Sequence, residues 1–181
     1  DEPARSATLD MLKYAHHQGK TVSFDVNLRA LLWNDLYEAK TMIERSLPFV
    51  DILKVSEEEL TFLKGDQKEE LALAELIKSH PISMILVTYG ALGSAVFYKN
   101  KLIKVPAFKV DSIDTTGAGD AFFGSFLASV YSTKKSLENF TFDELKDFLR
   151  RANACGAIAT LKKGAIGSLP TTQQLNAFIG K

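Results

Sequence analysis

The chain has 181 residues, is 46% hydrophobic, and carries 22 Lys+Arg against 22 Asp+Glu, so its formal net charge is zero. That length fits one domain with a buried core, and zero net charge supplies no general field to draw in nucleic acid, so an anionic ligand must be held by local features. No apolar run approaches the roughly 18 residues of a membrane span, and the charged, amphipathic start lacks the apolar core of a signal peptide.

In chain order, residues 5–18 read as a helix that stops at Gly19. TVSFDVN (21–27) reads as a buried strand. A helix is expected over 34–47, with Asn34 as its N-cap and Pro48 just past its end. DILKV (51–55) is a short strand, followed by a helix that a Ser56/Glu59 capping box opens and Gly65 closes. Residues 68–79 form another helix, and ISMILVTY (82–89) is the most apolar strand. SAVFYKNKLIKVPAF then reads as a hairpin turning at Asn100-Lys101. Helices follow at 118–131, 143–162 and 172–179. Buried strands alternating with helices imply a mainly parallel sheet covered by helices on both sides, in one α/β domain without repeats or linkers.

Cys155, the single cysteine, has small apolar neighbours and reads as a packed thiol, consistent with a reducing, cytoplasmic setting. His16, His17 and His80 have no partners at metal-ligand spacing.

Chemistry concentrates in SIDTTGAGDAFFGSFLASVY (112–131). Thr115-Thr116-Gly117-Ala118-Gly119 cannot be regular structure, whereas Phe122, Phe126 and Val130, with Phe123 and Leu127, recur at helical spacing. The glycines therefore sit at a helix N-terminus, where unpaired N–H groups and the positive end of the helix dipole suit an oxyanion. Asp120 lies in the first turn beside that site. It is either an ordinary N-terminal aspartate satisfying the dipole, or a general base for a hydroxyl attacking a phosphoryl group.

DTTGAGDAFFGSF resembles the C-terminal signature of the ribokinase-like, or PfkB, carbohydrate kinases. FDVNLRALLW (24–33), DILKVSEEEL (51–60), VTYGALGS (87–94) and ANACGAIATLKKGAIGSLPT (152–171) resemble further family segments in the family's order. The resemblance implies the C-terminal, nucleotide-binding part of a ribokinase-like three-layer α/β sandwich, using ATP and Mg²⁺. Fructose is the implied substrate, with 2-keto-3-deoxygluconate kinase and ribokinase as neighbouring alternatives. A non-catalytic regulatory homologue is the alternative of another class.

Carried over residue by residue, the resemblance makes Gly117, Ala118 and Gly119 the anion hole and Asp120 the base. It places Thr88, Gly90 and Gly93 in the nucleotide-binding turn and Asn153 on the adenine pocket. Glu59 joins the Mg²⁺ network through water, although Ser56 stands where the motif has asparagine. Asp25, Asn27 and Arg29, at a strand end, are implied to meet the sugar or the transferred phosphoryl group; Arg29 is a planar fork suited to phosphate. Asp114 and Thr116 match a monovalent-cation site, commonly K⁺. The family's sugar-binding Gly-Gly-Asn segment and its β lid, through which relatives often form homodimers, are expected ahead of residue 1. The chain thus reads as a fragment or shortened form, expected to turn over little sugar by itself.

Overall fold

The computed structural model describes residues 2–180. Its helices are α1 (Ala4–His17), α2 (Leu36–Ser46), α3 (Glu57–Lys64), α4 (Glu69–Ser79), α5 (Ala118–Thr133), α6 (Phe142–Ala159) and α7 (Thr172–Ile179). Its strands are β1 (Ser23–Asp25), β2 (Ile52–Ser56), β3 (Met84–Thr88), β4 (Ser94–Tyr98) and β5 (Lys101–Val105), which form one sheet in the order β1-β2-β3-β4-β5. β1 and β2 are parallel, with Asp25 in register with Lys54. A parallel pair needs a crossover, and α2 lies on it. Among the described residues no helix is long and apolar enough to cross a membrane.

Several boundaries differ from the sequence expectation for local reasons. β1 is three residues long instead of seven; beyond its C-terminal end Asn27 adopts φ 42° and cannot continue an extended strand. The chain still runs beside β2, since the Val26 N–H donates to the Lys54 carbonyl at 3.1 Å. α2 is capped by Asp35 and not Asn34: the Asp35 carboxylate accepts from the Tyr37 N–H at 2.8 Å. The hairpin turns at Lys99-Asn100, one residue earlier than expected, with φ 47° and 58°. Two left-handed residues joining the strands match the right-handed twist of a two-residue hairpin. α6 ends at Ala159, and the Thr160 carbonyl beyond it accepts from the N–H groups of Ile113 and Asp114. The Ser56/Glu59 capping box is present as expected.

The chain divides into two compact units. The first comprises residues up to Val87 together with Phe97–Leu102, and its core holds Leu47, Ile52, Leu53, Leu73, Met84, Ile85 and Leu86, all fully buried. The second comprises Thr88–Val96 and the residues from Ile103 onward. In it α5 packs on α6 through Phe126, Leu145 and Leu149, with Phe126 and Phe140 both edge-on to Phe148 at 6.1 and 5.6 Å. Each such ring pair contributes about 0.5–1.5 kcal/mol beyond its buried area. α6 approaches the first turn of α5 closely because Gly156 has no side chain; a Cβ there would lie 3.2 Å from the Ala118 carbonyl oxygen.

Candidate functional site

In the second unit, the chain enters α5 through Gly117, whose φ of 79° places it in the left-handed region. A Cβ at Gly117 would also crowd the Ala165 side chain at 3.0 Å, so the left-handed backbone and tight space both favour glycine here. The Ala118 N–H, expected among the anion-hole donors, is bonded to the Thr115 carbonyl at 3.1 Å. The N–H groups of Gly117, Gly119 and Asp120 have no backbone acceptor among the described residues, and these three remain to meet an anion. Asp120 is exposed, and its carboxylate has no hydrogen-bond or ion-pair partner among the described residues. It opens on a groove of about 700 Å³ between α5, α6 and residues 169–175, lined also by Ser125, Asp147 and Arg151.

The segment before α5 is tied down by Asp114. One carboxylate oxygen accepts from the Thr116 N–H and the other from the Gly164 N–H, both at 2.9 Å. These contacts, the Gly164 amide foremost, hold the Asp114 carboxyl down at about 2. Thr116 enters this arrangement through its backbone N–H, and Asp114 joins residues 114–116 to the loop at 164.

The turn after β3 is closed by the Tyr89 N–H donating to the Gly93 carbonyl at 2.9 Å. Thr88 is the last residue of β3, and Gly90 starts a single 3₁₀ turn with φ 56°. At Gly93, φ is 117° and a Cβ would fall 2.2 Å from the Val105 carbonyl oxygen, which only glycine tolerates. Asn153 differs from the expectation of an adenine-facing amide. Its Nδ2 donates to the carbonyls of Val105 and Pro106, and its Oδ1 accepts from the Ser94 hydroxyl at 2.8 Å. The side chain is buried and its polar atoms serve to tie α6 to β4 and to the end of β5. An amide in a mainly apolar helical run can satisfy such bonds as well as line a pocket, and sequence does not distinguish the two.

In the first unit, Asp25 ends β1 and its carboxylate takes the Lys54 ammonium at 3.0 Å, an ion pair that sequence reasoning did not anticipate. The missed signal was a lysine inside the buried strand ILKVS, because a lysine 7% exposed needs a partner. Asn27 and Arg29 are both exposed, and Arg29 has no carboxylate partner among the described residues. Glu59 departs from the expected metal-facing carboxylate. It is 9% exposed, one oxygen accepts from the Ser56 N–H and the other from the Leu28 N–H, each at 2.7 Å. Among the described residues no cluster of three or more His, Cys, Asp or Glu side chains could hold a metal ion. Cys155 is buried, and burial pushes its thiol up, as a packed cysteine should behave.

Fructokinase-1 of Zea mays is 41% identical over 180 residues, which is 99% of this chain and 55% of that protein. The crystal structure of fructokinase from Vibrio cholerae O395 in a fructose-, ADP- and potassium-bound form matches with a TM-score of 0.88 and 38% identity, covering 99% of this chain and 56% of that one. Aminoimidazole riboside kinase from Salmonella enterica, complexed with aminoimidazole riboside and an ATP analogue, matches with a TM-score of 0.85 and 35% identity, over 100% of this chain and 59% of its own. The fold is thus the ribokinase-like α/β fold expected from the motifs. The chain spans about half the length of the curated relatives it matches. The model of the pfkB family carbohydrate kinases covers residues 1–172, and with the glycine-led α5 and the strand-end loops in that family's order, this chain belongs to it.

Proposed function

We propose that the protein carrying this chain is an ATP-dependent fructokinase, transferring the terminal phosphoryl group of ATP to the 6-hydroxyl of fructose. The observation that carries this reading is the start of α5: among the described residues, three N–H groups without backbone acceptors, those of Gly117, Gly119 and Asp120, lie beside an exposed carboxylate without a partner. The N–H groups of Gly117, Gly119 and Asp120 meet negative charge as it develops on the transferring phosphoryl oxygens. The Asp120 carboxylate takes the proton of the attacking hydroxyl; the O–P bond to the sugar forms as the bond to the ADP oxygen breaks.

Thr88 and Gly90 are assigned to the nucleotide phosphates and ribose, Gly93 to the shape of their turn, and Asn27 and Arg29 to the transferred phosphoryl or the sugar hydroxyls. Arg29, exposed and without a carboxylate partner among the described residues, has the planar donors that phosphate oxygens favour. Asp114, with the carbonyls near residue 164, is assigned to a monovalent cation. The residues present fit Mg²⁺ only as an ion held mainly by water and nucleotide oxygens, since Glu59 already accepts two N–H groups. Such an ion, when bound, neutralises phosphate charge. Fructose is preferred because relatives from plants and bacteria at 37–41% identity are named fructokinase.

The test is ADP release by the full-length protein over a panel of fructose, ribose, 2-keto-3-deoxygluconate and aminoimidazole riboside. Turnover is expected on fructose, and Asp120→Asn is expected to lower kcat by about 10²–10⁴-fold. An unchanged rate in that variant excludes Asp120 as base, and no turnover on any sugar favours a non-catalytic homologue.

A further inference from the structure

The segment leaving β1 is held at several points. Asp25, which ends β1, is in register with Lys54 and ion-paired to it, with the two side chains 17% and 8% exposed. Next, the Val26 N–H donates to the Lys54 carbonyl. Asn27 then takes a left-handed conformation, which asparagine tolerates better than most residues other than glycine. Immediately beyond it, the Leu28 N–H donates to the Glu59 carboxylate. The support is therefore two-sided, with Lys54 at the strand end and Glu59 just past the left-handed residue. Both come from one continuous stretch, the end of β2 and the first turn of α3.

Glu59 has a second engagement that makes it rigid. Its other oxygen accepts the Ser56 N–H, and its own N–H donates to the Ser56 hydroxyl at 3.1 Å, so the reciprocal capping box fixes the carboxylate before the loop meets it. A carboxylate 9% exposed and accepting two charge-assisted hydrogen bonds at 2.7 Å is a fixed anchor, not a side chain awaiting a ligand. Ionic pairing of Asp25 has an electrostatic consequence as well. A bare carboxylate at the end of β1 would repel an incoming phosphate, and the Lys54 ammonium cancels that charge locally.

We propose that Glu59 is a positioning residue which, with the Lys54–Asp25 pair, locks the 25–29 loop into the shape that presents Asn27 and Arg29. The proposal rests on the kinase reading for what Asn27 and Arg29 present to, but the lock itself is a property of the chain. It separates two roles for one carboxylate, because a metal-network residue and a loop anchor respond differently to removal.

The experiment uses the full-length protein, amide hydrogen exchange at Leu28, and steady-state kinetics with fructose, ATP and Mg²⁺ each varied. Glu59→Ala is expected to speed Leu28 exchange by about tenfold or more, because the amide loses its acceptor. It is also expected to lower kcat/KM for fructose while the Mg²⁺ half-saturation stays near that of the unaltered protein. Ser56→Ala removes only the hydroxyl that accepts the Glu59 N–H and leaves both bonds of the Glu59 carboxylate, from the Ser56 and Leu28 N–H groups, so it is expected to leave Leu28 exchange and kcat/KM for fructose close to the unaltered values. Should Glu59→Ala not fold, Glu59→Asp, which keeps the charge but is one methylene short of the Leu28 amide, carries the same expectation. Unchanged Leu28 exchange, or a rise in Mg²⁺ half-saturation with fructose kinetics unaltered, overturns the proposal. If even the unaltered protein phosphorylates no sugar, the kinase reading fails while the exchange result still decides the lock.

Discussion

Asn153 illustrates how a single amide is spent. Both donors and the carbonyl oxygen of its side chain are engaged, with Val105, Pro106 and Ser94. Asn153→Ala leaves buried polar groups unpaired, each costing about 1–3 kcal/mol, and is expected to destabilise the protein in denaturant melts. Asn153→Asp should be worse than Ala near neutral pH, because it turns an acceptor toward two carbonyl oxygens; a melt no lower than that of Asn153→Ala would disprove this. Asp114 supplies a prediction about pH. Its folded value of about 2 lies below the ordinary 3.8, so the stability it contributes is fully present above about 4 and is lost as pH falls toward 2. Asp114→Asn removes that contribution. The melting-temperature gap between the two proteins should be largest near neutral pH and close as pH drops from about 4 to 2. Glu144 also titrates near 2, through Lys135 and the Thr141 cap, so the gap between variants and not the absolute melt is the quantity to follow.

At the scale of elements, the turn between β3 and β4 shows how backbone and packing conspire. Gly93 sits at φ 117° with the Val105 carbonyl where a Cβ would go. Gly93→Ala therefore forces strain and a backbone shift together, and should cost more than about 2 kcal/mol in chemical denaturation. An alanine variant that melts with the unaltered protein would refute it. The start of α3 was legible because its capping box, Ser56 with Glu59, is written within three residues, whereas the Thr171–Gln174 box that opens α7 was seen only in the structure. The hairpin turn was displaced by one residue because neither Lys99-Asn100 nor Asn100-Lys101 contains glycine. Two left-handed non-glycine residues carry no strong local signal, so pairing between the strands decides the turn.

For the whole molecule, each unit has its own buried core, and large-to-small changes can be read in each separately. Phe126 is fully buried against Phe148, so Phe126→Ala should destabilise the protein by about 3–5 kcal/mol by equilibrium unfolding. A loss under about 1 kcal/mol would mean that the ring is not a core element. The sequence by itself determined the family, the order of strands and helices, and the glycine-led helix with Asp120 in its first turn. These are local matters: turn chemistry, capping and hydrophobic period act over a few neighbouring residues. Only the tertiary structure decided what Asp25, Glu59 and Asn153 touch. Their partners Lys54, Leu28 and Ser94 lie 29, 31 and 59 residues away. Hydrogen bonds across such separations depend on strand register and on how helices dock, and no spacing within a motif records them.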